Sequence, residues 1–385
     1  MDFEKQKIPD SQLSGFSASI FNVMNTAIGS GIIGLPYAAA KTGYGFFTIA
    51  LLAVAAMAYY SIDLLTEIGE YFQANSYEEI AGAVFNKKWI GKRLVGLRLA
   101  AFFIFFAVTV SVCSYFFMLK SELPELIKFA LIKFNVKCVD ADSYLLNGNF
   151  LMLVVIVLVI LPITFAKNLD FLKYASASGM FSMTFCILTI VVFKFQISCQ
   201  DLIDNDAENA ELLENECLYK PDHETLADWE KFQTGFQQMK NDSKNGESVC
   251  EPEFFKPTFM QAFGNLFFAF LCHDCIMSIY GELRSSGGQT RKKMMRVCRY
   301  AFSGITTLYL LCGLFGYFTW YDATISEILL TYSMGYSDNI FIFAARLFVL
   351  ITVTFSVPIV HYACRKAFCM LVYGEYRLVE KLYQK

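Results

Sequence analysis

Apolar residues in this chain gather into runs of about twenty, separated by polar connections of very unequal length. Eight runs, near 16–38, 44–68, 98–119, 149–166, 175–197, 258–280, 300–321 and 340–364, are long enough to cross a ~30 Å hydrocarbon core as helices. The pattern predicts an all-α membrane protein. Its first run is unusual: Phe21 to Pro36 reads Phe-Asn-Val-Met-Asn-Thr-Ala-Ile-Gly-Ser-Gly-Ile-Ile-Gly-Leu-Pro, with two asparagines, three glycines and a proline. In hydrocarbon each freed backbone N–H or C=O costs several kcal/mol, so non-helical backbone survives only where it lines a cavity or grips a ligand. Discontinuous helices of this kind hold substrate and ions at the midplane of secondary transporters.

Composition supports the membrane reading. Of 385 residues 56% are hydrophobic and 17% charged, and the mean hydropathy is +0.44; soluble domains carry roughly 25% charge. The first twelve residues are polar and the first apolar run continues as a span, so no cleavable signal peptide is expected. Lys87, Lys88, Lys92, Arg93 and Arg98 follow the second run, and Arg284, Arg291, Lys292, Lys293, Arg296 and Arg299 follow the sixth. Both connections, and both termini, should face the cytosol. The 198–257 connection is the reverse: fifteen Asp/Glu against five Lys give it a net charge of −10. It also holds the sequon Asn241-Asp242-Ser243, so Asn241 is a candidate glycosylation site on the non-cytosolic side. Cys199, Cys217 and Cys250 share that connection; one disulfide is expected there, with three pairings open.

Several polar residues inside the spans carry candidate chemistry. Asn22 and Asn25, three apart, share a helical face, and their amide oxygens are hard ligands suited to a small cation. Gly29-Ser30-Gly31 and Gly34 let the backbone approach a bound molecule closely. The N–H groups freed after the break, at Ser30, Gly31 and Ile32, suit a carboxylate. In the eighth run, Thr352, Thr354 and Ser356 precede Pro358. Such hydroxyls ordinarily bond back to the carbonyl one turn earlier, yet beside an asparagine pair they complete an all-oxygen cation site, either through Thr354 or through the Thr352/Ser356 face. The sixth run carries Cys272-His273-Asp274. An ionisable pair at membrane depth is expensive and marks a functional site by default, with a satisfied structural pair as the alternative. Arg346 either snorkels or pairs internally. The chain has no Ser/His/Asp hydrolase arrangement, Walker-type loop or paired-cysteine metal motif, so no enzyme is expected and nothing points to nucleic acid.

With these residues in view, the chain resembles the sodium-coupled neutral amino acid transporters, part of the amino acid/auxin permease group with the LeuT-type fold. The shared motifs are Phe-Asn-x-x-Asn at 21–25, Gly-Ser-Gly-Ile-Ile-Gly-Leu at 29–35, Thr42-Gly43, Leu119-Lys-Ser-Glu-Leu-Pro124 and Tyr144-Leu-Leu-Asn-Gly-Asn149. They continue with Cys272-His273, Ile279-Tyr-Gly-Glu-Leu283, Leu314-Phe-Gly-Tyr317, Ser326-Glu-Ile-Leu329, Arg346-Leu and Val353-Thr-Phe-Ser-Val-Pro358. The resemblance implies a LeuT-type inverted-repeat helical bundle with discontinuous helices 1 and 6. The first repeat would be 16–197, and 258–364 three helices of the second. It implies Na⁺, as coupling ion, on Asn25 and Thr354, with Asn22 and Ser356 nearby. A neutral amino acid such as glutamine or alanine would sit at Ser30, Gly31, Ile32, Cys272 and His273. It also implies a Cys199–Cys250 disulfide.

Two departures accompany it. Cys-His-Asp stands where the family has a Cys-His-Pro-type run. The family has about eleven spans, so a bundle truncated after the eighth is expected here. The functional expectation is therefore Na⁺-coupled amino acid symport by alternating access, at the plasma membrane or in endosomes or lysosomes. The competing expectations are a non-transporting regulator or amino acid sensor, and a proton-coupled organellar transporter using His273 and Asp274.

Overall fold

A computed structural model describes residues 16–74, 76–88, 93–134, 146–165, 171–197, 223–244, 250–285, 290–336 and 339–373. Cys199 and Cys217 lie outside these residues, as do both tails. Every regular element among the described residues is helical. Among the described residues, five helices are long and apolar enough to cross a membrane uninterrupted. They are α3 (Tyr44–Phe72), α5 (Arg93–Lys133), α8 (Phe171–Gln196), α12 (Thr290–Trp320) and α14 (Ile340–Tyr373). The fourth run is α6 (Gly148–Val155), a π-helical segment Ile156–Ile160 and α7 (Leu161–Phe165). Asn147 starts it by accepting hydrogen bonds from Asn149 and Phe150 N–H at its side-chain oxygen.

The first and sixth runs are each cut in two. α1 (Phe16–Ala27) gives way to a 3₁₀ segment, Ser30–Gly34, before α2 (Leu35–Thr42). The sixth run opens with a 3₁₀ turn, Pro257–Ala262, and α10 (Phe263–Ala269). It unwinds over 270–272 and resumes as α11 (His273–Ser285). No proline is needed for the second break. Phe270 and Leu271 N–H bond back three residues, and Cys272 N–H only two, to Phe270 O, so the chain leaves the helix.

Helical elements also lie between the spans, where hydropathy predicts only connections. They are α4 (Tyr77–Lys88) before the third span, α9 (His223–Lys244) in the acidic connection and α13 (Ile328–Gly335) before the eighth span. The third span, expected over 98–119, continues as helix through Pro124 to Lys133.

α12 is the centre of the bundle and packs against α1, α2, α3 and α8. Close approach comes from its small residues. The Phe47 ring rests on Gly313, where a Cβ would sit 2.4 Å from it, and Pro36 rests on Gly316. In lipid, where helices gain nothing by hiding apolar surface from one another, such van der Waals fit is a main source of association. α14 packs along α5 and α8. At the basic end of the bundle, Arg291 donates to Asp63 (2.9 and 3.1 Å) and Glu67 (2.9 Å), fastening α12 to α3.

Candidate functional site

The two breaks lie against each other. A Cβ on Gly31 would stand 3.0 Å from Ala269 Cα and 3.3 Å from Ala269 N, so the 3₁₀ segment seats tightly on the end of α10 and a side chain there would push the two apart. Asn265 Nδ2 donates to Gly34 O at 3.4 Å, a second tie between the same pieces. Gly31, Gly34 and Asn265 line a cavity of about 420 Å³ that continues past Ser121 and Glu125 of α5 to Glu327 and to Asp228 of α9. That volume falls within the ~300–1,000 Å³ of small-molecule sites. The cavity thus runs from the breaks toward the end of the bundle bearing the acidic connection.

Of the expected substrate residues, Gly31 and Ile32 are in the 3₁₀ segment, Ile32 buried, and the backbone of Ser30 begins it. Cys272 is fully buried at the second break. His273 starts α11, and its Nε2 is 2.5 Å from Ser61 Oγ of α3, a bond across spans that ties the ring to the bundle interior. The side chain of Asp274 lies outside the described residues.

Of the expected ion ligands, Asn25 is partly buried, and its Oδ1 would be 2.6 Å from a Cβ on Gly179 of α8. The same missing Cβ would meet Thr352 Cγ2 at 3.2 Å. Spans one, five and eight therefore converge at Gly179. Thr352, Thr354 and Ser356 each donate to the carbonyl four residues back, at 2.9, 2.8 and 2.8 Å, which leaves their oxygen lone pairs for a cation. Thr352 and Thr354 are both buried. Asn22 is partly buried, its carbonyl accepting from Thr26 Oγ1 at 2.8 Å.

Two features escaped the sequence reading. Tyr309 of α12 is fully buried, and its hydroxyl lies 2.7 Å from both Ala27 O and Ala269 O, the last carbonyls before the two breaks. Three residues on, Cys312 Sγ is 3.5 Å from Ile32 O. One of three tyrosines in a long helix, Tyr309 gives no signal of such a role in the sequence.

The second feature is a buried charge cluster. Arg346 is 3% exposed and Glu122 1%, with Nη1 and Oε2 3.2 Å apart. Arg346 also donates to Leu329 O and Ser333 Oγ, both at 2.7 Å, so it pairs internally rather than snorkelling. Ser121 Oγ donates to Glu327 at 2.9 Å, and Ser333 Oγ to Glu125 at 3.2 Å.

Glu327 lies between spans. Burial raises its carboxyl above the usual carboxylate value, against the Ser121 hydrogen bond and the Arg346 charge, which pull it down. A folded-state value raised in this way gives a contribution to stability that is full below the unfolded value. It is lost as pH rises through the folded one. The melting temperature in detergent is therefore expected to decline over that interval. Glu327→Gln should flatten the decline, whereas a variant curve parallel to wild type removes Glu327 from the titration.

Asn241, in the last turn of α9, is exposed, and Asp242 and Ser243 of its sequon are half-buried. Cys250 is disulfide-bonded.

A helical membrane bundle with two spans broken side by side over a cavity defines a solute transporter, not an enzyme. The pattern of the family described as transmembrane amino acid transporter protein matches residues 13–218 and 231–374, and the chain belongs to that family. The human protein named sodium-coupled neutral amino acid transporter 4 is 32% identical over 94% of this chain and 68% of its own length. Its rat counterpart is 33% identical over the same shares. Zebrafish sodium-coupled neutral amino acid symporter 2 is 32% identical over 94% of this chain and 64% of its own length.

Proposed function

We propose that the chain moves a neutral amino acid, of the glutamine or alanine class, together with Na⁺ by alternating access in a LeuT-type bundle. The observation that carries this reading is the contact of the two breaks, Gly31 on Ala269, at the floor of the cavity. Backbone freed at a break must find a partner, and an amino acid supplies both kinds, a carboxylate acceptor and an ammonium donor. The backbone at Ser30, Gly31 and Ile32 takes the carboxylate, and residues beside Cys272 and His273 shape the side-chain pocket. Na⁺ binds Asn25 and Thr354, with Asn22 and Ser356 as neighbours. Two features of the site support an ion there: hydroxyls with free lone pairs, and an amide oxygen directed at the Cβ-less surface of Gly179. The names of the relatives, sodium-coupled and neutral amino acid, point the same way.

In this reading the acidic connection is extracellular, glycosylated at Asn241 and closed by Cys199–Cys250, and the protein works in the plasma membrane. Purified protein in liposomes decides the matter. Labelled glutamine or alanine should accumulate when Na⁺ is outside and fail to accumulate with choline. Equal uptake in both salts, or none in either, ends the proposal.

A further inference from the structure

A phenol carries one proton, and Tyr309 presents it to two carbonyls at equal distance, Ala27 O and Ala269 O, each 2.7 Å away. In an intact helix these oxygens would accept from residues 31 and 273. Both runs depart from the helix just there: Ala27 O accepts instead from Gly29 N–H at 2.9 Å, two residues on, and Tyr309 is the donor that reaches each carbonyl from outside its own run. Tyr309 is 0% exposed. Its ring is held by Phe270, centroids 5.2 Å apart and edge-on, and Phe270 stacks on Phe302 at 6.1 Å. The hydroxyl is thus fixed by α12 and shared between the first halves of spans one and six. Cys312, one turn along the same face, meets Ile32 O beyond the first break.

We infer that Tyr309 is a positioning residue whose hydroxyl clasps the two broken helices, so that the ends of α1 and α10 are ordered together and binding at one is felt at the other. Ala27 lies two residues from Asn25, and Ala269 three from Cys272. The clasp therefore joins the ion side of the site to the substrate side. This second part rests on the proposed function; the clasp itself does not.

Tyr309→Phe removes one oxygen and keeps the ring packing. Amide hydrogen exchange of the ligand-free protein tests the clasp alone. Exchange should rise severalfold in the variant at both 28–34 and 270–272. Tyr317→Phe is the control, a tyrosine of the same helix whose hydroxyl accepts from Glu253 N–H at 3.2 Å, and it should leave both segments as in wild type. A rise at one segment only, or at neither, overturns the clasp.

Equilibrium binding of labelled glutamine tests the coupling. In wild type, saturating Na⁺ should tighten binding by a factor that linkage requires to reappear in the effect of glutamine on Na⁺ affinity. In Tyr309→Phe both factors should fall toward one, while Na⁺ affinity without glutamine stays within about twofold. A variant that keeps the full factor overturns the coupling role. Wild type without any Na⁺ effect overturns the coupling role together with the proposed function, and the exchange result still judges the clasp. Should Tyr309→Phe not fold, the wild type answers instead: glutamine must slow exchange at both breaks together, and slowing at one alone overturns the inference.

Discussion

Arg346→Met is expected to destabilise the protein by about 3–5 kcal/mol, because it strands Glu122 in the bundle without its cation. The guanidinium reaches three partners on two elements: Glu122 of α5, and the Leu329 carbonyl and Ser333 hydroxyl of α13. Glu122 is 1% exposed, and its contact with Arg346 makes no hydrogen bond at either of its oxygens. The contact is therefore charge against charge at 3.2 Å, with no aligned N–H. Such a pair gives little net stability over an apolar substitute, because both ions lose their hydration, but breaking it from one side is costly.

A double-mutant cycle separates those statements. Arg346→Met alone should lose its folded, monodisperse state at temperatures where wild type persists in detergent. Glu122→Gln with Arg346→Met should recover most of the loss, showing a coupling energy of at least about 2 kcal/mol. If the single and double variants melt together, the pair is not what holds α5, α13 and α14.

The residues of this cluster were visible in the sequence, but their meeting was not. Glu122 sits in Leu-Lys-Ser-Glu-Leu-Pro, Glu327 in Ser-Glu-Ile-Leu and Arg346 in Arg-Leu, three separate motifs of the resemblance. Only the fold brings Glu122 to Arg346, and no periodicity reaches between spans three and eight. The eight spans and the first break were legible for the opposite reason. Length of apolar run and the glycine cluster at 29–34 are local, and the membrane makes local rules strict. The second break was expected from resemblance alone, since 270–272 contains neither glycine nor proline. α4, α9 and α13 were missed because polar or short helices leave no trace in a search for spans. The long extension of α5 beyond 119 passes a proline, which sequence rules treat as a stop.

Gly179→Ala is expected to raise the Na⁺ concentration for half-maximal glutamine uptake at least tenfold, about 1.4 kcal/mol of ion binding. The new methyl would lie 2.6 Å from Asn25 Oδ1 and 3.2 Å from Thr352 Cγ2, closer than packed atoms stand. α8 is a long helix in the bundle and cannot recoil for one side chain, so the amide of Asn25 must turn and carry its oxygen away. Asn25→Ala should produce the same defect by deletion, and adding Gly179→Ala to it should cost little more, because the oxygen to be displaced is already gone. A purely structural Gly179 would behave otherwise: surface protein and melting temperature would fall while the Na⁺ dependence of the remaining uptake stayed put.

The eighth span then decides its own question. Thr352 borders Gly179 together with Asn25, while the proposed ligand is Thr354, two residues on and roughly opposite on the helix. Thr354→Val with a large rise in the Na⁺ requirement, and Thr352→Val without one, keeps the site as proposed. The reverse result moves the ion to the face that Thr352 shares with Ser356.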